Sequence, residues 1–182
     1  MEPKNLPESI YGQRIVLKKH TLDLAGIMFS YINQDRKRLA QFLPWVEKTQ
    51  SKDDSLTYIN LTHKDWIEKS VFDYGIFSIA NDEYMGNVGL HTIAWPHNRG
   101  EIGYWILGKF EGQGFISEAV SFLEKESFSI GFHRLEIRCS SHNARSASVP
   151  RRLGYHHDGT FVDHVIENGK YRDTLIFSKL SS

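Results

Sequence analysis

The sequence predicts a mixed α/β (α+β) fold: one largely antiparallel central sheet flanked by helices, in a single domain spanning residues 1–182. Three observations predict it. Strand-like runs at 74–80, 84–95 and 101–107 follow one another with no helical stretch between them, so turns and not crossover helices join them. Two further runs, 155–165 and 171–180, flank Asn168-Gly169, a pair suited to the positive φ values of a tight hairpin. Between these sets, the apolar run Tyr104-Trp105-Ile106-Leu107 passes through a loop holding Gly108, Gly112 and Gly114. It then adopts helical spacing at Ile116, Ala119, Val120 and Leu123.

In order, residues 14–18 read as a first strand. Thr21 is the expected N-cap of a helix carried by Leu24, Ile27, Met28, Tyr31 and Ile32. Residues 35–42 read as a short helix that stops at Leu43-Pro44-Trp45, because the residue before proline is pushed out of the helical region. A third helix is expected over 52–69, with Leu56, Ile59, Leu61, Trp66 and Ile67 as its apolar set. After the strands at 74–107 comes a helix over 114–130. Residues 134–139 alternate as a strand, and 143–153 read as a helix ended by Gly154 in a left-handed cap.

Composition narrows the classes of function. Hydrophobic residues at 40 % and charged residues at 24 % suit a folded chain and argue against disorder. A formal net charge of +0 argues against a strong non-specific nucleic-acid binder. One cysteine, Cys139, forms no internal disulfide and fits a reducing compartment. No signal peptide and no membrane-spanning run is found, so a cytoplasmic location is expected. No metal site is read from the sequence. An edge strand near the C-terminus offers a surface for pairing with a second copy, so a homodimer is one expectation.

The loop after residue 107 is where the chemistry concentrates. Glycine lets backbone approach a ligand closely, and the first turn of a helix leaves N–H groups unpaired and aimed at an anion. A phosphorylated cofactor is the expected ligand. The loop lacks the Lys-Ser/Thr of a P-loop, and the strands before it do not alternate with helices as a Rossmann unit would.

Lys109-Phe110-Glu111-Gly112-Gln113-Gly114 resembles the Q/R-x-x-G-x-G/A loop of the GNAT superfamily of N-acetyltransferases, with Lys109 where glutamine or arginine is usual. Asn143-Ala144-Arg145-Ser146 with Leu153-Gly154-Tyr155 resembles a second segment of that family, one strand later. Leu43-Pro44-Trp45 and Glu101-Ile102-Gly103-Tyr104-Trp105 resemble the Rim-type (RimJ/RimL) ribosomal-protein N-acetyltransferases. The resemblance implies acetyl-CoA as donor and a primary amine as acceptor, most readily a protein N-terminus, joined by direct attack in a ternary complex. Alternatives are small amines such as polyamines, amino sugars or antibiotics, and a non-catalytic sensor of a CoA derivative.

It also implies roles. Glu101 is the expected base, through a water, and Ser146 the expected hydrogen-bond partner or proton donor to the coenzyme sulfur. The cofactor set is Trp105, Ile106, Leu107, Gly112, Gln113, Gly114, Phe115, Ile116, Asn143 and Ser146, with backbone N–H groups near Trp105 and Ile106 facing the reacting carbonyl. Trp45 and His91 are the expected acceptor-side residues, and His91 is the alternative base. Pro150 stands where many members carry a tyrosine acid, and a proline donates no proton. Plainer roles stand beside these: Asn143 as a helix cap, Ser146 as a small packing residue, Glu101 as a solvated charge and Trp45 as a core aromatic.

Overall fold

Apolar runs with β-branched and aromatic residues build the sheet, and amphipathic helices cover its two faces. In the computed structural model, which describes residues 1–181, eight strands form one sheet in the order β1-β2-β3-β4-β5-β6-β8-β7. They are β1 (Ser9–Tyr11), β2 (Ile15–Lys19), β3 (Phe72–Ser78), β4 (Tyr84–Ala94), β5 (Arg99–Ile106), β6 (Arg134–Ser140), β7 (His156–Glu167) and β8 (Lys170–Leu180). All neighbours are antiparallel except β5 and β6, which run parallel. The helices are α1 (Leu24–Gln34), α2 (Arg36–Leu39), α3 (Lys52–Glu68), α4 (Phe115–Ser129) and α5 (Ala144–Arg152).

Several boundaries differ from the sequence reading. β1 is three residues long, too short to show a period of two. Helix α1 is capped by Asp23, not Thr21, and by no side chain; the Thr21 carbonyl accepts the Leu24 N–H at 3.2 Å instead. The helix expected over 35–42 shortens to Arg36–Leu39, and Pro44 opens a 3-10 turn over Pro44–Lys48, where its missing N–H costs nothing. The expected left-handed residue at the end of α5 is Gly154, with φ of 75°.

Each face of the sheet has its own core. Ala119, Val120 and Leu123 of α4 pack with Ile102 and Ile106 of β5 and Ile137 of β6. Leu24, Met28 and Ile32 of α1 pack with Ile59 of α3, Val46 and Tyr84, and the partly buried Trp45 and Trp105 lie against them. Each such buried aliphatic side chain contributes about 1.5–3 kcal/mol. Period two along β5 therefore puts Ile102, Tyr104 and Ile106 toward α4, and Glu101, Gly103 and Trp105 toward the first helices.

Candidate active site

β5 and β6 pair over only three residues, Arg99↔Arg134, Gly100↔Leu135 and Glu101↔Glu136. Beyond Glu101 the two strands part, although β5 continues to Ile106 and β6 to Ser140. The parting leaves the β6-facing edge of β5 without a strand partner. A groove of about 850 Å³ opens there, lined by β5 from Tyr104 to Ile106, the loop and helix start from Phe110 to Ser117, and Asn143, Ser146 and Val149 of α5. Its other wall is Arg38 to Leu43, leaving out Ala40.

The loop forms a cradle for an anion. Gly112 and Gly114 have φ of 73° and 82°, a region that side chains strain to reach. Gly114 is the N-cap of α4 and gives no side-chain acceptor. Among the described residues, no acceptor faces the N–H groups of Gly112, Gln113, Gly114, Phe115 or Ile116. Five donors on residues that line the groove, at the start of α4, are thus left without an acceptor. Cations ring it: Arg14 donates to the Gln113 carbonyl at 3.0 Å, and Arg152 reaches Ser117 at 3.1 Å. Arg38 and Arg145 hold the two oxygens of Glu111 from opposite walls, at 2.6 and 2.5 Å. Lys109 turns away from the cradle to Glu83 and lies over the Tyr31 ring.

Backbone direction sorts the residues expected near the reacting carbonyl. Successive strand residues send N–H and C=O to alternate edges. The Leu107 N–H donates to the Met85 carbonyl at 2.9 Å, so Leu107 and Trp105 face β4, and the Trp105 N–H, expected near the reacting carbonyl, does not face the gap. Leu107 is also buried outside the groove lining. The Ile106 carbonyl accepts Arg38 at 2.6 Å on the opposite edge, so the N–H groups of Ile106 and Tyr104 face the open gap. Trp105 contributes its ring, 5.6 Å from that of Trp45. Trp45 itself is off the groove lining and braces Trp105 from behind.

At the other end of β5, Glu101 and His91 are cross-strand partners outside the lining of the groove. His91 lies over Gly103, where a Cβ would come within 2.8 Å of its Nε2. Burial pushes the Glu101 carboxyl above the usual range; Arg138, 3.4 Å away, opposes this, and Glu136 adds to it. Burial pushes the His91 imidazole down, with Asp73 opposing. At neutral pH, both shifts leave a carboxylate of raised basicity beside a neutral imidazole.

Asn143 caps α5, its Oδ1 accepting the Ser146 N–H at 3.0 Å. Ser146 faces the groove and touches Tyr104, which sequence reasoning did not single out: the Ser146 hydroxyl donates to the Tyr104 oxygen at 3.3 Å, and the Tyr104 hydroxyl donates to the Ser146 carbonyl at 2.9 Å. Also missed was a buried polar cluster where α3 meets β3 and β4. Asn87 donates to Tyr58 at 3.1 Å and to Asp73 at 3.2 Å, and His20 Nδ1 lies 3.7 Å from Asp73. Burial pushes Asp73 up and His20 down. No local motif marks these residues, since 42 positions separate Tyr104 from Ser146, and 14 and 29 positions separate Asn87 from Asp73 and Tyr58.

Comparison with known proteins gives a consistent picture. Residues 14–156 match the family model described as "Acetyltransferase (GNAT) domain". YdaF of Bacillus subtilis strain 168, named as a candidate ribosomal N-acetyltransferase, is 30 % identical over 152 residues, covering 82 % of this chain and 81 % of that one. The ribosomal-protein-serine acetyltransferase of Escherichia coli K12 is 26 % identical over 157 residues, covering 84 % and 85 %. Among solved structures, RimL, a ribosomal L7/L12 alpha-N-protein acetyltransferase in complex with coenzyme A, superposes with a TM-score of 0.90. It is 22 % identical and covers 95 % of this chain and 98 % of that one, a likeness of fold. Among the described residues, no helix is long and apolar enough to cross a membrane.

Proposed function

This chain belongs to the GNAT acetyltransferase family and is an acyltransferase, and we propose that it moves the acetyl group of acetyl-CoA onto the N-terminal α-amine of a protein, of the ribosomal-protein type. The observation that carries this is the parting of β5 from β6 beside a cradle of five free N–H groups. That arrangement fits a long ligand with a diphosphate at one end and amide groups along its arm. The residues present suit acetyl-CoA: unpaired donors and arginines for the phosphates, and the open edge of β5 with Asn143 for the arm. Acetyl-CoA supplies an activated thioester.

The chain's own groups would do the rest. The gap-facing N–H groups of Tyr104 and Ile106 stabilise negative charge on the reacting oxygen. Glu101 takes the proton of the acceptor ammonium through a water, because it stands about 10 Å up the strand from the groove residue Tyr104. Its raised affinity for protons suits that task. His91 shapes the acceptor side, and its neutral ring adds no charge beside Glu101, which faces Arg138 at 3.4 Å. Ser146 offers a hydroxyl to the leaving sulfur. The Rim-type relatives favour a protein N-terminus as acceptor.

Peptides with free N-termini, incubated with acetyl-CoA and mapped by mass spectrometry, test the reading. Acetylation at the α-amine is expected. Transfer only to polyamines, amino sugars or lysine side chains would overturn the acceptor, and CoA binding without turnover on any amine would favour a sensor.

A further inference from the structure

Helix α5 contains Pro150, a residue without an N–H, at its seventh position. In an α-helix, the N–H of residue 150 would serve the carbonyl of residue 146. The Ser146 carbonyl is therefore orphaned within its own helix, and it lies at the inner wall of the groove. The hydroxyl that satisfies it comes from the sheet: Tyr104 donates to it at 2.9 Å. Having given its one hydrogen to that carbonyl, the Tyr104 oxygen can only accept from the Ser146 hydroxyl, 3.3 Å away. One proline thus creates the vacancy that seats a tyrosine on both polar groups of Ser146. Burial pushes the Tyr104 phenol up, so this hydrogen stays in place across the working pH range.

We propose that Tyr104 is a positioning residue for acetyl transfer, which Pro150 recruits to the Ser146 carbonyl and which holds the Ser146 hydroxyl at the groove wall through a long 3.3 Å bond, whose hydrogen turns from the Tyr104 oxygen to the sulfur as the thiolate forms. The proposal rests on the acetyltransferase reading for its catalytic half only. Its structural half, the coupling between Tyr104 and Pro150, concerns the folded chain by itself. The bond also ties β5 to α5 across the gap.

The test is a double-variant cycle on the full chain with Tyr104→Phe, Pro150→Ala and both together. Tyr104→Phe leaves the Ser146 carbonyl unpaired, and the melting temperature should fall by about 2–6 °C. Pro150→Ala restores the helical N–H, so the same Tyr104→Phe change should cost less than half as much in that background. Acetyl transfer should separate from stability. In Tyr104→Phe, kcat should fall about tenfold with KM for acetyl-CoA unchanged. In the double variant, kcat should stay low although stability returns, because the Ser146 hydroxyl is no longer held. Equal losses of melting temperature in both backgrounds would overturn the link to Pro150. Recovery of kcat in the double variant would reduce Tyr104 to a structural cap and overturn the positioning role. Absence of any transfer by the wild-type chain would sink the acetyltransferase reading, while the melting cycle would still decide the coupling.

Discussion

Helices α3 and α4 meet the same problem at their first turn and solve it in opposite ways. At α3, the Ser51 hydroxyl accepts the Asp54 N–H at 3.2 Å, and Asp54 Oδ2 accepts the Ser51 N–H at 2.8 Å, a reciprocal capping box. At α4, Gly114 stands in the cap position with no side chain, and its neighbours' N–H groups are left without acceptors. The closed start sits on a covering helix, and the open start sits at the mouth of the groove. The start of α1 is also uncapped, but of the two only the start of α4 lies at the groove, and on the proposed reading it takes an outside anion there.

The sharpest way to break this contrast is Gly114→Asp, which puts a fixed carboxylate where the proposed reading seats the diphosphate. CoA affinity should fall by about 100-fold or more in calorimetry, since strain at a φ of 82° adds to charge repulsion. Unchanged affinity would remove the cradle from the account. A second comparison sets the two ends of β5 against each other. In Glu101→Gln, kcat/KM should drop by roughly 10²-fold and lose its acid limb, while CoA affinity holds because Glu101 lies outside the groove lining. In the wild type that limb should lie above the usual carboxylate range, because burial raises the group.

Stability follows the same shift with a definite sign. The folded state holds the Glu101 proton more tightly than the unfolded chain does, so this group's contribution is fully present below its ordinary value of 4.5 and is lost as pH rises through its folded value. At pH 7, Glu101→Gln should therefore melt no lower than the wild type, and a lower melting temperature would contradict the assigned direction. Trp45→Ala should raise KM for the acceptor peptide about tenfold through the unsupported Trp105 ring and leave KM for acetyl-CoA alone. The smallest effect sharpens the opening contrast: Ser51→Ala should cost about 1 kcal/mol of stability in chemical denaturation and leave CoA affinity unchanged.

The same contrast explains what was legible in the sequence. The cradle is local: Gly112, Gly114 and the helix start occupy consecutive positions, and Asn143 caps the helix that carries Ser146 three residues on. Local spacing therefore reveals both. The buried polar cluster is assembled from separate elements, with Tyr58 and Asp73 meeting Asn87 from α3, β3 and β4, and no period or motif encodes that convergence. The Trp105 N–H, expected near the reacting carbonyl, turns from the gap for a related reason. Strand alternation decides which edge a residue faces, and its phase was set by the distant Met85 carbonyl. Tyr104 was hidden because its partner carbonyl is freed by a proline 46 positions further along the chain. Thr21 looked like a cap by type, yet backbone geometry passed that position to Asp23.

Backbone amide NMR during an acetyl-CoA titration tests the contrast most directly. The amides of Gly112, Gln113, Gly114, Phe115 and Ile116 should shift strongly and become protected from exchange, and those of Lys52, Asp53 and Asp54 at the start of α3 should not move. Shifts confined to regions away from the start of α4 would contradict the claim that its open end is the anchor for the cofactor.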